Sequence, residues 1–139
     1  MNNQMQSKQI AIINDTTPTN HYGCLMVMSN LNAMLNQEGA KVSWNWPVGV
    51  DWRKHKAKIH QYPKVDAIIV NGEGTIHHGP KRWQAQALAE FAEFACEELK
   101  VPVFLINATL FANDDSLNQK LHNFDAIYVR DKVSHDELN

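Results

Sequence analysis

Short apolar runs alternate with amphipathic stretches along this chain, and each run empties into a polar loop. The first run, Ile10 to Ile13, leads into Asn14 to Tyr22, which predicts a strand followed by a loop. From Cys24 to Leu35, apolar residues recur three or four apart at Cys24, Val27, Met28, Leu31, Met34 and Leu35. That spacing predicts a helix with one buried stripe, and Gly39 suits its carboxyl cap. A strand follows at Lys41 to Trp46, where alternation puts Val42, Trp44 and Trp46 on one face until Pro47 and Gly49 stop it. Asp51 to Tyr62 reads as a short helix capped by Asp51, with Trp52 and Ile59 inward and Arg53, Lys54, Lys56 and Lys58 outward.

Val65 to Val70 is apolar and β-branched, as a central parallel strand covered on both faces requires. It runs into Asn71-Gly72-Glu73-Gly74-Thr75. After Pro80 comes the clearest helical pattern, with Trp83, Ala87, Phe91, Ala95 and Leu99 every four residues and Leu88 and Phe94 beside them. Val101 to Ile106 is a fourth strand, Asp114 to His122 a short helix and Ala126 to Val129 a fifth strand. Ser134 then suits the cap of a helix that opens at His135 and is barely begun. Strands alternating with helices imply an α/β, Rossmann-like open parallel sheet of about five strands with helices on both faces. The expected organisation is a flexible start over residues 1–8 and one domain over 9–139, truncated at its last helix. An uncovered sheet face would follow, and with it a homo-oligomer.

Composition narrows the partners. The 139 residues are 44% hydrophobic with a formal net charge of −2, so no global attraction to polyanions exists and nucleic acid is not expected. Cys24 and Cys96 lack C-x-x-C spacing and fall in apolar helical patterns, which reads as buried free thiols in a reducing compartment. With no secretory apolar core and no run of transmembrane length, the expectation is a cytoplasmic protein. The basic stretch Arg53 to His60 leaves open peripheral association with the inner membrane face, against a plain solvated helix face.

In open parallel sheets, ligands gather where the carboxyl ends of strands meet. Of the four polar loops there, Asn71 to Pro80 carries the strongest signal. Gly72 and Gly74 flank Glu73, which is suited to accept sugar hydroxyls or act as a base, and His77 or His78 is suited to shuttle a proton. The alternative is a turn in which Glu73 caps a helix and the histidines are simply exposed. A metal site is disfavoured, because adjacent histidines do not easily share one ion and no H-E-x-x-H or C-x-x-C pattern occurs. A dinucleotide site is disfavoured too, since G-E-G-T lacks the G-x-G-x-x-G arrangement. Asp15 and Asn20 in the first loop, Asn107 after strand four and Arg130 after strand five are further candidates. Each also reads as a structural cap or ion pair.

Taken together, the I-I-N-D loop with Asn20 and Gly23, the stretch from Asp66 to His78, the L-I-N-A-T strand end and the I-Y-V-R-D-x-x-S close resemble the amino-terminal half of polysaccharide pyruvyl transferases. The similarity spans essentially the whole chain. It implies one half of a GT-B-like fold and transfer of pyruvate from phosphoenolpyruvate, as co-substrate with no other cofactor, to two hydroxyls of a cell-surface polysaccharide sugar. In that family, arginines and a proton-donating histidine that hold phosphoenolpyruvate come mainly from a carboxyl-terminal half. The resemblance therefore implies a missing carboxyl-terminal domain, an inactive isolated chain, and a glycan or lipid-linked sugar as acceptor. It makes Glu73 and His77 the catalytic candidates, with Asp15, Asn20, Gly72, Gly74, Thr75, His78, Asn107 and Arg130 binding substrate. Two rival readings are a nucleotide-sugar glycosyltransferase half and a non-catalytic glycan-binding or assembly module.

Overall fold

The computed structural model describes residues 6–138. Five strands, β1 (Lys8–Asp15), β2 (Ala40–Pro47), β3 (Ala67–Glu73), β4 (Val103–Ala108) and β5 (Ala126–Val129), form one open sheet. Every neighbouring pair is parallel and the order is β2-β1-β3-β4-β5. Five α-helices connect and flank them: α1 (Tyr22–Gln37), α2 (Lys56–His60), α3 (Trp83–Phe94), α4 (Asp115–Leu121) and α5 (Lys132–Glu137). The architecture is the Rossmann-like α/β class that the alternation of patterns predicts. Of the expected flexible start, residues 1–5 lie outside the described residues, and Lys8 already belongs to β1.

Because the sheet is parallel and covered on two sides, it separates two apolar layers. The larger joins Ala11, Ile13, Ile68, Val70, Val103 and Leu105 to Phe91 of α3 and Leu117 and Leu121 of α4. The smaller packs Ile10 and Ile12 against Met28 and Leu31 of α1. On that smaller face α1 leaves β4 and β5 largely open: Phe104 and Ile106 are only partly buried, and Tyr128 is 63% exposed. Among the described residues, no helix is long and apolar enough to cross a membrane.

Several expectations are corrected by packing. Val42, Trp44 and Trp46 do not share a face, because the register slips between Ile10↔Val42 and Ala11↔Trp44. This bulge sends Val42 to the α1 layer and the two tryptophans to the larger layer. Met34 is left exposed on α1, so the buried stripe there is narrower than its spacing implies. Trp83 starts the α3 pattern yet stays 42% exposed, since it lies at the helix end beyond the sheet contact. The tail of the pattern is a π-turn over Ala95–Leu99, which turns Cys96 out to solvent; Cys24 is partly buried, and both thiols are free. Ser134 caps nothing. Asp131 caps α5 by accepting from the Ser134 N–H, while the buried Ser134 hydroxyl accepts from the Leu110 N–H at 2.8 Å.

The basic segment also divides in two. Asp51 caps a 3-10 turn at Trp52–Lys54, and α2 begins only at Lys56. Trp52 points inward as expected, edge-on to Phe91 at 5.1 Å, with its indole N–H donating to the Ala87 carbonyl at 2.6 Å. Its cationic neighbours turn onto acids: Arg53 meets Asp51 at 2.9 Å and Glu90 at 3.0 Å, and Lys56 and His60 both reach Glu98. Such partly exposed pairs add little stability individually. Their effect is to neutralise much of the segment.

Candidate functional site

In a β2-β1-β3-β4-β5 order the direction of winding reverses between β1 and β3, so the crevice at their carboxyl ends is the natural ligand position. Three residues there adopt left-handed backbone: Asn14 at the end of β1 (φ 64°), Glu73 at the end of β3 (φ 41°) and Asn107 near the end of β4 (φ 55°). Asparagine tolerates this region through its short polar side chain. Glutamate does not, and a strained non-glycine residue costs on the order of 1–3 kcal/mol. Strain held at the switch point marks Glu73 out from the other loop residues.

The side chains form one continuous polar chain. Arg130 Nε donates to Asn107 Oδ1 at 2.7 Å, and Asn107 Nδ2 donates to Asn71 Oδ1 at 3.1 Å. Asn71 Nδ2 donates to Glu73 Oε1 at 3.2 Å, and the Thr16 hydroxyl donates to the same oxygen at 2.9 Å. Cys24, in the first turn of α1, places its thiol 3.4 Å from Glu73 Oε2. A carboxylate offers about four lone-pair directions. Three are taken, and the remaining one is on the Cys24 side.

That side opens into a pocket of about 370 Å³ lined by His21, Gly23, Cys24, Val27, Glu73, Gly74 and Arg130. The volume lies within the range of small-molecule sites. A carboxylate and a guanidinium face one space here, the combination that fixes a polyhydroxylated ligand by accepting from some hydroxyls and donating to others.

The structure brings together only part of the predicted set. Glu73, Gly74 and Arg130 line the pocket, and Asn107 orients Arg130 from behind. Gly72 has a packing role: a Cβ there would stand 2.6 Å from Ala108 Cβ, so glycine lets β3 approach β4. Asp15 is occupied locally, accepting from the Thr17 N–H and hydroxyl and from Asn45 Nδ2. Asn20 is exposed and closes the turn after Thr19 by donating its N–H to the Thr17 carbonyl. Thr75 lines a different cavity.

His77 and His78 also lie apart from the Glu73 pocket, whose histidine is His21. The two Nδ1 atoms stand 2.8 Å apart, so one donates and the other accepts, and their protonation is coupled. A parallel bridge joins His77 to Phe111, the His78 N–H donates to the Phe111 carbonyl at 3.0 Å, and Asn113 Nδ2 holds the Ile76 carbonyl. Burial first, then the charges of Arg82 and His78, hold the His77 pKa below the ordinary imidazole value. Among the described residues, no group of three or more His, Cys, Asp or Glu side chains is placed to hold a metal ion.

Sequence reading passed over Asn71, Thr16, Cys24 and His21 as site residues. An asparagine closing an apolar strand was the available signal for Asn71, which is wholly buried. Nothing local marks Thr16 or Cys24, because their partner Glu73 is 57 and 49 residues away.

The fold and site define an open parallel α/β domain with a polar crevice at its switch point. Searches against protein-family models, curated proteins and solved structures find no match to this chain.

Proposed function

We propose that the chain is the acceptor-side, amino-terminal domain of an enzyme of the polysaccharide pyruvyl transferase type. The observation that carries this reading is the strained Glu73 at the switch point, its carboxylate buttressed by Thr16, Asn71 and Cys24 and facing Arg130 across an open pocket. In the reaction, two sugar oxygens bond to C2 of phosphoenolpyruvate, the C2–O bond to phosphate breaks, and C3 gains a proton to become methyl. The two hydroxyl protons balance C3 and the departing phosphate. Glu73 accepts a hydrogen bond from one acceptor hydroxyl and Arg130 donates to another, so the sugar is presented in one orientation. Phosphoenolpyruvate and the proton donor to C3 belong to a carboxyl-terminal half, in a cytoplasmic setting near the membrane where lipid-linked sugars are built.

A second reading, a glycan-binding module without catalysis, is favoured by one feature. The pocket holds hydroxyl-orienting groups but not His77, the histidine expected to handle protons.

The test is to establish the reading frame beyond Asn139 and the mass of the native polypeptide, then assay that polypeptide with phosphoenolpyruvate and oligosaccharide acceptors. Phosphate release matched by ketal formation supports transfer. Turnover of a sugar nucleotide instead would move the assignment to a glycosyltransferase, and sugar binding with neither donor consumed would leave the binding module.

A further inference from the structure

A second cavity opens on the far side of the Glu73 turn. Gly74 lines the Glu73 pocket, whereas the next residue, Thr75, lines this one, so the turn forms the wall between them. The floor is apolar, built from Trp46, Trp52 and Leu88, and the rim carries Thr75, Arg82, Trp83 and Gln84. At about 170 Å³ it has room for a single ring rather than a chain.

Arg82 is the unusual member. Arg53 is met by Asp51 and Glu90, and Arg130 by Asn107. Arg82, by contrast, enters none of the ion pairs among the described residues, and its Nε is buried without a hydrogen-bond partner. A guanidinium N–H withdrawn from water and left unbonded carries an unreturned desolvation penalty, which a bound anion would remove. Independently, α3 begins on the rim at Trp83 and Gln84, and no side chain caps its first turn. Its unpaired N–H groups favour negative charge as well. Trp83 adds a half-exposed indole beside the cation, a surface on which the apolar face of a sugar ring packs.

We propose that this cavity binds a sugar acid, a pyranose bearing a carboxylate, with the carboxylate on Arg82 and the ring against Trp83. The combination selects a sugar over a plain aromatic acid because Thr75 and Gln84 supply polar partners for hydroxyls opposite an apolar floor. The inference does not rest on pyruvyl transfer. It concerns a different cavity and needs no donor half.

The full chain is titrated with glucuronate, glucose and benzoate, followed by tryptophan fluorescence and by amide NMR shifts. Saturable glucuronate binding is expected, about tenfold tighter than glucose, with shifts centred on Thr75, Trp83 and Gln84. Arg82→Gln should remove that preference while leaving the thermal midpoint unchanged, Arg82→Lys should retain part of it, and Trp83→Ala should weaken both sugars. Equal affinity for glucose and glucuronate, tighter binding of benzoate, or shifts confined to the Glu73 pocket would each overturn the proposal. Glucuronate discrimination surviving in a folded Arg82→Gln variant would do the same.

Discussion

Asn14 and Asn71 reach for each other's backbone across the switch point: Asn14 Nδ2 donates to the Asn71 carbonyl at 2.7 Å, and Asn71 Nδ2 lies 3.4 Å from the Asn14 carbonyl. The stronger of these bonds closes β1 onto β3 just past the last paired residues, Ile13 and Val70, where the ladder ends. Asn71 also serves Glu73 and Asn107, so the crevice polar chain hangs on one buried amide.

Asn71→Ala should therefore destabilise the domain by about 2 kcal/mol, since it leaves several buried groups without partners rather than one. Denaturant unfolding measures this. A loss comparable to that of an exposed substitution would show that water replaces the amide and that the chain is not a structural unit.

Glu73→Ala removes the carboxylate from the pocket. Acceptor-sugar affinity should fall roughly tenfold, the loss of one hydrogen bond to a charged group. Stability should change less, because alanine at the same positive φ keeps similar strain and Thr16 becomes free to meet water. Sugar titration by NMR, paired with thermal melts, separates the two effects; unchanged sugar affinity in a folded variant would remove Glu73 from the site.

Gly72→Ala forces a methyl group against Ala108, whose Cβ and Cα would stand 2.6 Å and 2.9 Å away. Overpacking of this kind costs about 2 kcal/mol. Adding Ala108→Gly should restore most of that loss, and an additive double mutant in chemical denaturation would show that the two strands already yield independently.

The depressed pKa of His77 has a definite sign in stability. The unfolded chain takes up this proton at higher pH than the folded chain does, so between the two values the unfolded state holds more protons. Stability from this group is complete above the ordinary histidine pKa and declines as pH falls through it. Replacing His77 with Gln should narrow the difference in Tm between about pH 8 and about pH 5. An NMR titration that places the His77 ring at or above the usual imidazole value would contradict the geometry described here.

Much of this molecule was readable from residue order alone. The 3.6-residue and alternating periods report which side chains seek burial, and such preferences are local, so five strands, the helices between them and their parallel arrangement follow from Ile10 to Val129 directly. The importance of the Asn71 to Thr75 turn was legible for the same reason. Polar residues and glycines directly after a β-branched strand can only sit at its carboxyl end. What tertiary structure alone decided depends on contacts across tens of residues. A one-residue bulge turned Val42 away from Trp44, Ala108 explained Gly72, and the buried hydroxyl of Ser134 found Leu110 instead of a helix end. Glu73 was visible as a candidate, but its partners Thr16 and Cys24 were not, and neither was the separation of Thr75 and Arg82 into a second cavity. Periodicity specifies which face a residue seeks; the distance between two strand ends is set only when the sheet closes.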